Sequence, residues 1–250
     1  MAVQQSGYGR IRLFNDFVGA EIPVANAVAY GTSAGGCNYY LGDFAVKGDL
    51  GETDTGVVAI SKANGWVRVS GNNEDGKGVS IGTEICWSPA LNGAIAMETR
   101  VEMAALTTRV VWFGLCGTHA DDVAEPLTAT GTTLTLTATD LCGFVFDSQL
   151  TATKWHMPYK GGSTTGPTTS TNVESDVTPV AAEADVLRLE VFPDGRAKWI
   201  INGNVEQEVA GAVSTTALQS AFLAVFGTTT TAADADFDYF AFEANRDWNR

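Results

Sequence analysis

Between residues 185 and 209 the chain reads DVLRLEVFPDGRAKWIINGNVEQEV, and its apolar positions recur with a period of two. Leu187, Leu189 and Val191 fall on one side of an extended strand, with Arg188 and Glu190 on the other. Pro193-Asp194-Gly195 supplies a turn. Ala197, Trp199 and Ile201 then face one way and Lys198 the other. Asn202-Gly203 follows, the strongest short hairpin signal available, because both residues accept the left-handed backbone of a type I′ turn. Residues 205–209 return as a third strand. This antiparallel meander has one apolar face, so a second sheet must cover it.

The same pattern predicts strands at residues 10–17, 38–46, 57–60, 65–70, 79–87, 94–103, 109–115, 143–147, 153–159, 222–226 and 237–243. Residues 23–29 continue the first strand or form an edge. Ala63-Asn64-Gly65 marks a tight turn. Residues 94–103 alternate most cleanly, with Met97, Thr99 and Val101 opposite Glu98, Arg100 and Glu102. Residues 109–115 (RVVWFGL) are almost continuously apolar, as in a central strand covered on both sides, and Trp112 and Phe113 are expected in the core. The threonine-rich stretch 127–139 reads as an edge strand or surface ribbon. One helical turn is expected at 217–220. No linker and no fixed-period repeat divides the chain. The expectation is one all-β domain over residues 1–250, an antiparallel two-sheet β-sandwich with a short N-terminal arm at about 1–9 and a Thr/Gly-rich loop at about 161–171.

Composition changes this picture in two respects. The formal net charge is −14 over 250 residues, with a pI near 4.4. That balance repels phosphate backbones and argues against nucleic-acid binding. The first ten residues carry no basic segment followed by an apolar stretch, and no window approaches the roughly 18 apolar residues that span a bilayer. Synthesis in a cytosol and no membrane partner are the expectations. Cys37, Cys86, Cys116 and Cys142 form no C-x-x-C pair, and the last three are expected as buried free thiols.

Several stretches together resemble a known fold family. They are Phe14-Asn15-Asp16-Phe17, METRVEM at 97–103 followed by VVWFGL at 110–115, the late hairpin with Asp194-Gly195, Trp199 and Asn202-Gly203, and DYFAFEA at 238–244. In this order they resemble the concanavalin A-like (laminin G-like) lectin/glucanase fold, which implies a jelly-roll sandwich and specifies a fold rather than an activity. In overall character the chain is also similar to virion proteins of tailed bacteriophages, particularly capsid decoration (cement) proteins. That resemblance implies a non-enzymatic protein made in the host cytoplasm and placed on the capsid exterior. Its partner would be the major capsid protein, and it would act as a homo-oligomer, expected as a trimer. The alternative is a lectin-like module that binds a glycan.

The chemistry sought along the chain is sparse. The resemblance implies that a glucanase would carry E-x-D-x-x-E on one strand. Glu52-Thr53-Asp54 ends on Val57 instead. Glu98 and Glu102 are separated by Arg100, and Asp234, Asp236 and Asp238 share one face of an extended chain; each reads as a solvated strand face. His119 beside Asp121 and Asp122 does not close a metal shell, and no D-x-D-x-D-G calcium loop is present. The glycines of residues 71–78 fit no phosphate-binding pattern. No catalytic residue, metal or cofactor is expected. The one candidate ligand or interface patch is Trp155, His156 and Tyr159, where a sugar-stacking surface competes with packing at a sandwich edge.

Overall fold

The computed structural model describes residues 9–19, 39–48, 56–71, 74–120, 122–229, 231 and 233–246. The segment at 23–29, Glu52-Thr53-Asp54, Cys37 and Asp121 lie outside them. The described strands are β1 (Arg10–Asn15), β2 (Tyr39–Leu41), β3 (Phe44–Gly48), β4 (Gly56–Ile60), β5 (Trp66–Gly71), β6 (Gly78–Gly82), β7 (Ile95–Glu102), β8 (Arg109–Cys116), β9 (Leu127–Thr130), β10 (Thr133–Leu136), β11 (Leu141–Asp147), β12 (Tyr159–Lys160), β13 (Ala184–Val191), β14 (Ala197–Ile201), β15 (Asn204–Val209), β16 (Ser220–Gly227) and β17 (Ala233–Asn245). A helical turn, α1, spans Pro89–Asn92.

Two antiparallel sheets stack face to face. One has the order β15-β14-β13-β7-β17-β5-β4, with β1 beside the second half of β17; the other runs β12-β11-β8-β16-β6-β3-β2. They are called here the first and second sheets. This is the two-sheet sandwich that the sequence pattern predicts, in the concanavalin A-like form that the resemblance implies. The meander forms as expected. Gly195 takes φ 79°, and Asn202 and Gly203 take 52° and 84° as a type I′ turn requires. Asn64 and Gly65, at 75° and 79°, turn β4 into β5 in the same way.

Between the sheets lies one apolar layer, to which alternate residues of each strand contribute. Its centre is aromatic. Phe240 of β17 stacks on Phe44 at 4.4 Å and meets Phe113 edge-on at 5.8 Å. Trp199 crosses the layer and donates its indole N–H to the Gly143 carbonyl at 2.8 Å, so the polar end of a fully buried ring is satisfied.

Several expectations are corrected. Residues 38–46 form two strands, β2 and β3, because Gly42 adopts φ 60° and closes a two-residue hairpin. The strand expected at 79–87 stops at Gly82; beyond it Cys86 is exposed, whereas Cys116 and Cys142 are buried as expected. The helical turn is at Pro89, not 217–220, where the strand β16 takes the chain from Ser220. Residues 153–159 do not form a strand: only Tyr159–Lys160 joins the sheet, and His156 makes isolated bridges to Val145 and Glu174.

The second sheet is covered on both faces. The hairpin of β9 and β10, with Val123, Ala138, Leu150 and Val173 beside it, lies over the outer side and encloses a second apolar layer. Trp112, Phe222, Val145 and Leu141 from the sheet meet Val123, Leu127, Leu134 and Leu150 there. Trp112 lies flat over Gly114 and Gly143, where a Cβ would come within 3.0 Å of its ring. This explains why β8, β11 and β16 are buried at every position.

Candidate functional site

The expected patch at Trp155, His156 and Tyr159 does not open to solvent. Trp155 is fully buried, edge-on to Phe146 at 6.0 Å, and its indole N–H donates to Asp185 at 2.9 Å. His156 is equally buried, and burial lowers its pKa; neither ring nitrogen finds a hydrogen-bond partner. Tyr159 is half-buried against Trp199, with ring centroids 5.9 Å apart. Sequence adjacency brings the three side chains together, but Trp155 and His156 have been drawn into packing, so no aromatic platform for a sugar exists there.

His119 likewise belongs to the interior. It stacks on Phe222 at 4.4 Å and 4°. Its Nε2 lies 2.9 Å from the Ser80 hydroxyl, and its Nδ1 is 2.9 Å from Ser220 Oγ and 3.1 Å from the Thr83 carbonyl. Ser220 donates to that same carbonyl, which leaves its oxygen to accept from an Nδ1–H, while Ser80 donates to Nε2. Desolvation pushes the imidazole pKa down to about 3, so it is neutral and both nitrogens are used. Ser80 and His119 have the spacing of nucleophile and base, but both are buried, at 0% and 5% exposure. The network pins the cover to the second sheet. It is not a metal shell, and among the described residues no cluster of His, Cys, Asp and Glu could hold an ion.

The chemically unusual acids sit at one end of this covered face. Burial raises the Glu125 pKa from 4.5 to about 8, with the charges of Asp147 and Asp75 adding to the rise. Asp147, 2% exposed at the end of β11, is raised from 3.8 to about 6 for the same first reason, although its Oδ1 accepts from the Gln149 amide at 2.8 Å. The sequence reading passed over these three residues, which lie in separate segments.

The open surface is the outer face of the first sheet, and it is laid out as a charge lattice. Asp236 is held by Lys62 at 2.9 Å and Arg68 at 2.8 Å, and Lys62 also binds Glu102 at 2.7 Å. Arg100 meets Asp238 at 3.1 Å. Arg188 bridges Glu98 at 3.2 Å and Glu190 at 2.8 Å, and the Tyr239 hydroxyl donates to Glu98 at 2.6 Å. Arg10 and Arg12 hold Glu243, and Arg196 holds Glu208. With Lys198, which lies opposite Glu190 and Glu208, eight of the fifteen lysines and arginines gather here. Glu98 and Glu102 project outward as predicted, but Asp236 and Asp238, only 3% and 8% exposed against their cations, are not the solvated face expected, and a bulge in β17 between Phe237 and Phe240 breaks the row of aspartates. Each of these carboxylates has a cation, so none stands free as a general base.

Across this lattice runs a shallow trough of about 390 Å³, floored by Ala96 and Ala241 and flanked by Phe14, Arg12 and Arg188. Phe14 is 45% exposed and lies 6.1 Å from the Tyr239 ring. A second hollow of about 330 Å³ continues it toward Phe192.

The geometry defines the class at the level of fold: a two-sheet sandwich of the lectin and glucanase type, with one face covered and one open. Comparison with known proteins agrees at that level. No family model and no curated protein matches the chain. Among solved structures it is similar to a protein of unknown function from Shewanella oneidensis MR-1, with a TM-score of 0.60 and 12% identity over 96% of this chain and 89% of that one. It is similar to a Bacillus licheniformis β-glucanase, with a TM-score of 0.53 and 13% identity over 96% and 99% of the two chains. The carbohydrate recognition domain of Emp46p aligns with a TM-score of 0.50 and 9% identity over 80% and 87%. At such identities the shared property is the fold, which serves both enzymes and binding domains.

Proposed function

We propose that the chain is a non-enzymatic virion structural protein, a capsid decoration protein of a tailed bacteriophage that binds the outer capsid surface as a homo-oligomer. The observation that carries the non-enzymatic part is the covered second sheet. Its outer face is filled by the chain's own β9–β10 hairpin, and the carboxylates of the open sheet are neutralised by neighbouring cations. A glycosidase needs two carboxyl groups facing each other across a substrate cleft; here one face is filled by the covering hairpin, and the carboxylates in the ion pairs of the other are held by cations. What remains is a broad, rigid contact surface. The bacteriophage setting rests on the sequence resemblance. The test is to mix the purified protein with capsids lacking their decoration protein and sediment them. Saturable co-sedimentation supports the reading, and protein left wholly in the supernatant overturns it.

A second reading, a glycan-binding module, is favoured by the trough, where the half-exposed Phe14 ring adjoins hydroxyl, guanidinium and carboxylate groups. Glycan-array binding by the wild type that is lost in Phe14→Ala supports this reading.

A further inference from the structure

The strand register arranges the outer face of the first sheet into rows that cross six strands. One row reads Phe14, Ala241, Glu98, Arg188, Ile200 and Val205, from β1 through β17, β7, β13 and β14 to β15. The next row, on the same strands, reads Arg12, Glu243, Ala96, Glu190, Lys198 and Glu208. Both rows have a property that single ion pairs do not reveal. Reversed about a line between β7 and β13, each is complementary to itself.

In the first row reversal sets Phe14 against Val205, Ala241 against Ile200, and Glu98 against Arg188. In the second it sets Arg12 against Glu208 and Glu243 against Lys198, with small Ala96 facing Glu190. Phe14 and Val205 are 45% and 53% exposed. They fall at opposite ends of one row, where a two-fold axis running along the strands brings them together twice.

We infer that this face binds a second copy of the chain, sheet against sheet, about a two-fold axis parallel to the strands between β7 and β13. The inference deepens the contact-protein reading by naming the surface and the partner. Charge selects the face. Two chains of net charge −14 repel in general, yet more than half of the lysines and arginines lie on this one side, each beside a carboxylate. Pairs already formed within one chain leave no isolated charge when covered, so burial costs less than it would for bare acids. Six strands about 4.8 Å apart, six residues long, offer on the order of 600 Å² per copy, or about 1,200 Å² in all, at the lower bound of a stable protein interface.

The test is a charge exchange between positions that are far apart in one chain and adjacent across the pair. Glu243 lies in β17 and Lys198 in β14, with β7 and β13 between them. Sedimentation equilibrium of the wild type is expected to show a dimer of twice 26.3 kDa. Glu243→Lys and Lys198→Glu are each expected to weaken it at least tenfold, and the double variant to restore it to within about threefold. Circular dichroism and melting temperature establish that each variant is folded. A wild type that is monomeric at 100 μM or trimeric overturns the inference, and so does a folded double variant as dissociated as the singles. Because capsids are absent, the result is separate from co-sedimentation: a monomer that still pellets with capsids refutes only the pairing.

Discussion

Glu125 makes the stability of this protein depend on pH in a window where no other buried group among the described residues interferes. In the folded chain its carboxyl keeps a proton up to about pH 8, whereas an ordinary glutamate ionises near 4.5. Between these values the folded state binds more protons than the unfolded state, so the contribution of this group is lost as pH rises and is gone above about 8. Asp147 adds to the fall between 3.8 and about 6. His119, neutral down to about 3 against 6.5, opposes it, because there the unfolded chain holds the extra proton; His156 acts in the same sense. From about pH 6.5 to 8 only Glu125 remains among the described residues. At about 1.36 kcal/mol per pKa unit the window is worth about 2 kcal/mol, a ceiling because the half-buried side chain can relax toward water. At 2–4 °C per kcal/mol for a chain of this size, the wild type is expected to melt about 4–8 °C lower at pH 8 than at pH 6.5. Glu125→Gln keeps the shape and cannot ionise, so its melting temperature is expected to stay level. Asp75→Asn, which removes one of the repelling charges, is expected to shrink the slope. Thermal melts at four pH values across the window decide the matter. A wild type without slope, or a Gln variant that retains it, refutes the assignment.

Other substitutions probe the packing. Gly143→Ala places a Cβ 2.5 Å from the Phe113 carbonyl and 2.8 Å from the Gly114 Cα, both backbone atoms, and is expected to cost about 1–3 kcal/mol or more in urea titrations. Trp199→Phe leaves a cavity and takes the indole N–H from the Gly143 carbonyl; a loss of about 2–3 kcal/mol is expected by the same measurement. Trp155→Ala should destabilise the chain by about 3–5 kcal/mol, read as a lowered urea midpoint, because the ring is core rather than surface. Maleimide labelling of the folded protein, followed by peptide mapping, is expected to modify Cys86 and spare Cys116 and Cys142. The latter two are buried, and desolvation raises their thiol pKa values.

Alternation along a strand reports which side of the chain each residue faces, and that is why the inner layer was legible. Leu187, Leu189, Trp199 and Ile201 were assigned inward from the sequence, and all are buried. Alternation does not report what lies on the other side. The unbroken apolar run of β8 implied a cover on both faces, but the covering hairpin is threonine-rich, and Leu127, Ala129, Leu134 and the partly buried Leu136 are what it packs into the second layer. The aromatic cluster at Trp155 misled for a related reason. With no strand to set its direction, the backbone sends Trp155 and Met157 into the main core, and His156 bridges back to β11. Adjacency of aromatics in sequence says nothing about a shared exposed face.

What surface the molecule presents is encoded one level further away, in strand register. Arg12, Glu243, Glu190, Lys198 and Glu208 are scattered over more than two hundred residues, and nothing in their local sequence marks them as a set. They become neighbours because β17 pairs with β1 on one edge and β7 on the other, and because the bulge between Trp199 and Ile200 shifts β15 so that Val205 completes one row and Glu208 the next. Without that bulge the pairing of β15 slips by one residue, which sends its side chains to the opposite face. The irregularity in the best-formed meander of the chain is therefore what aligns its outer charges. A register defect, not a motif, determines the surface on which any contact function of this sandwich depends.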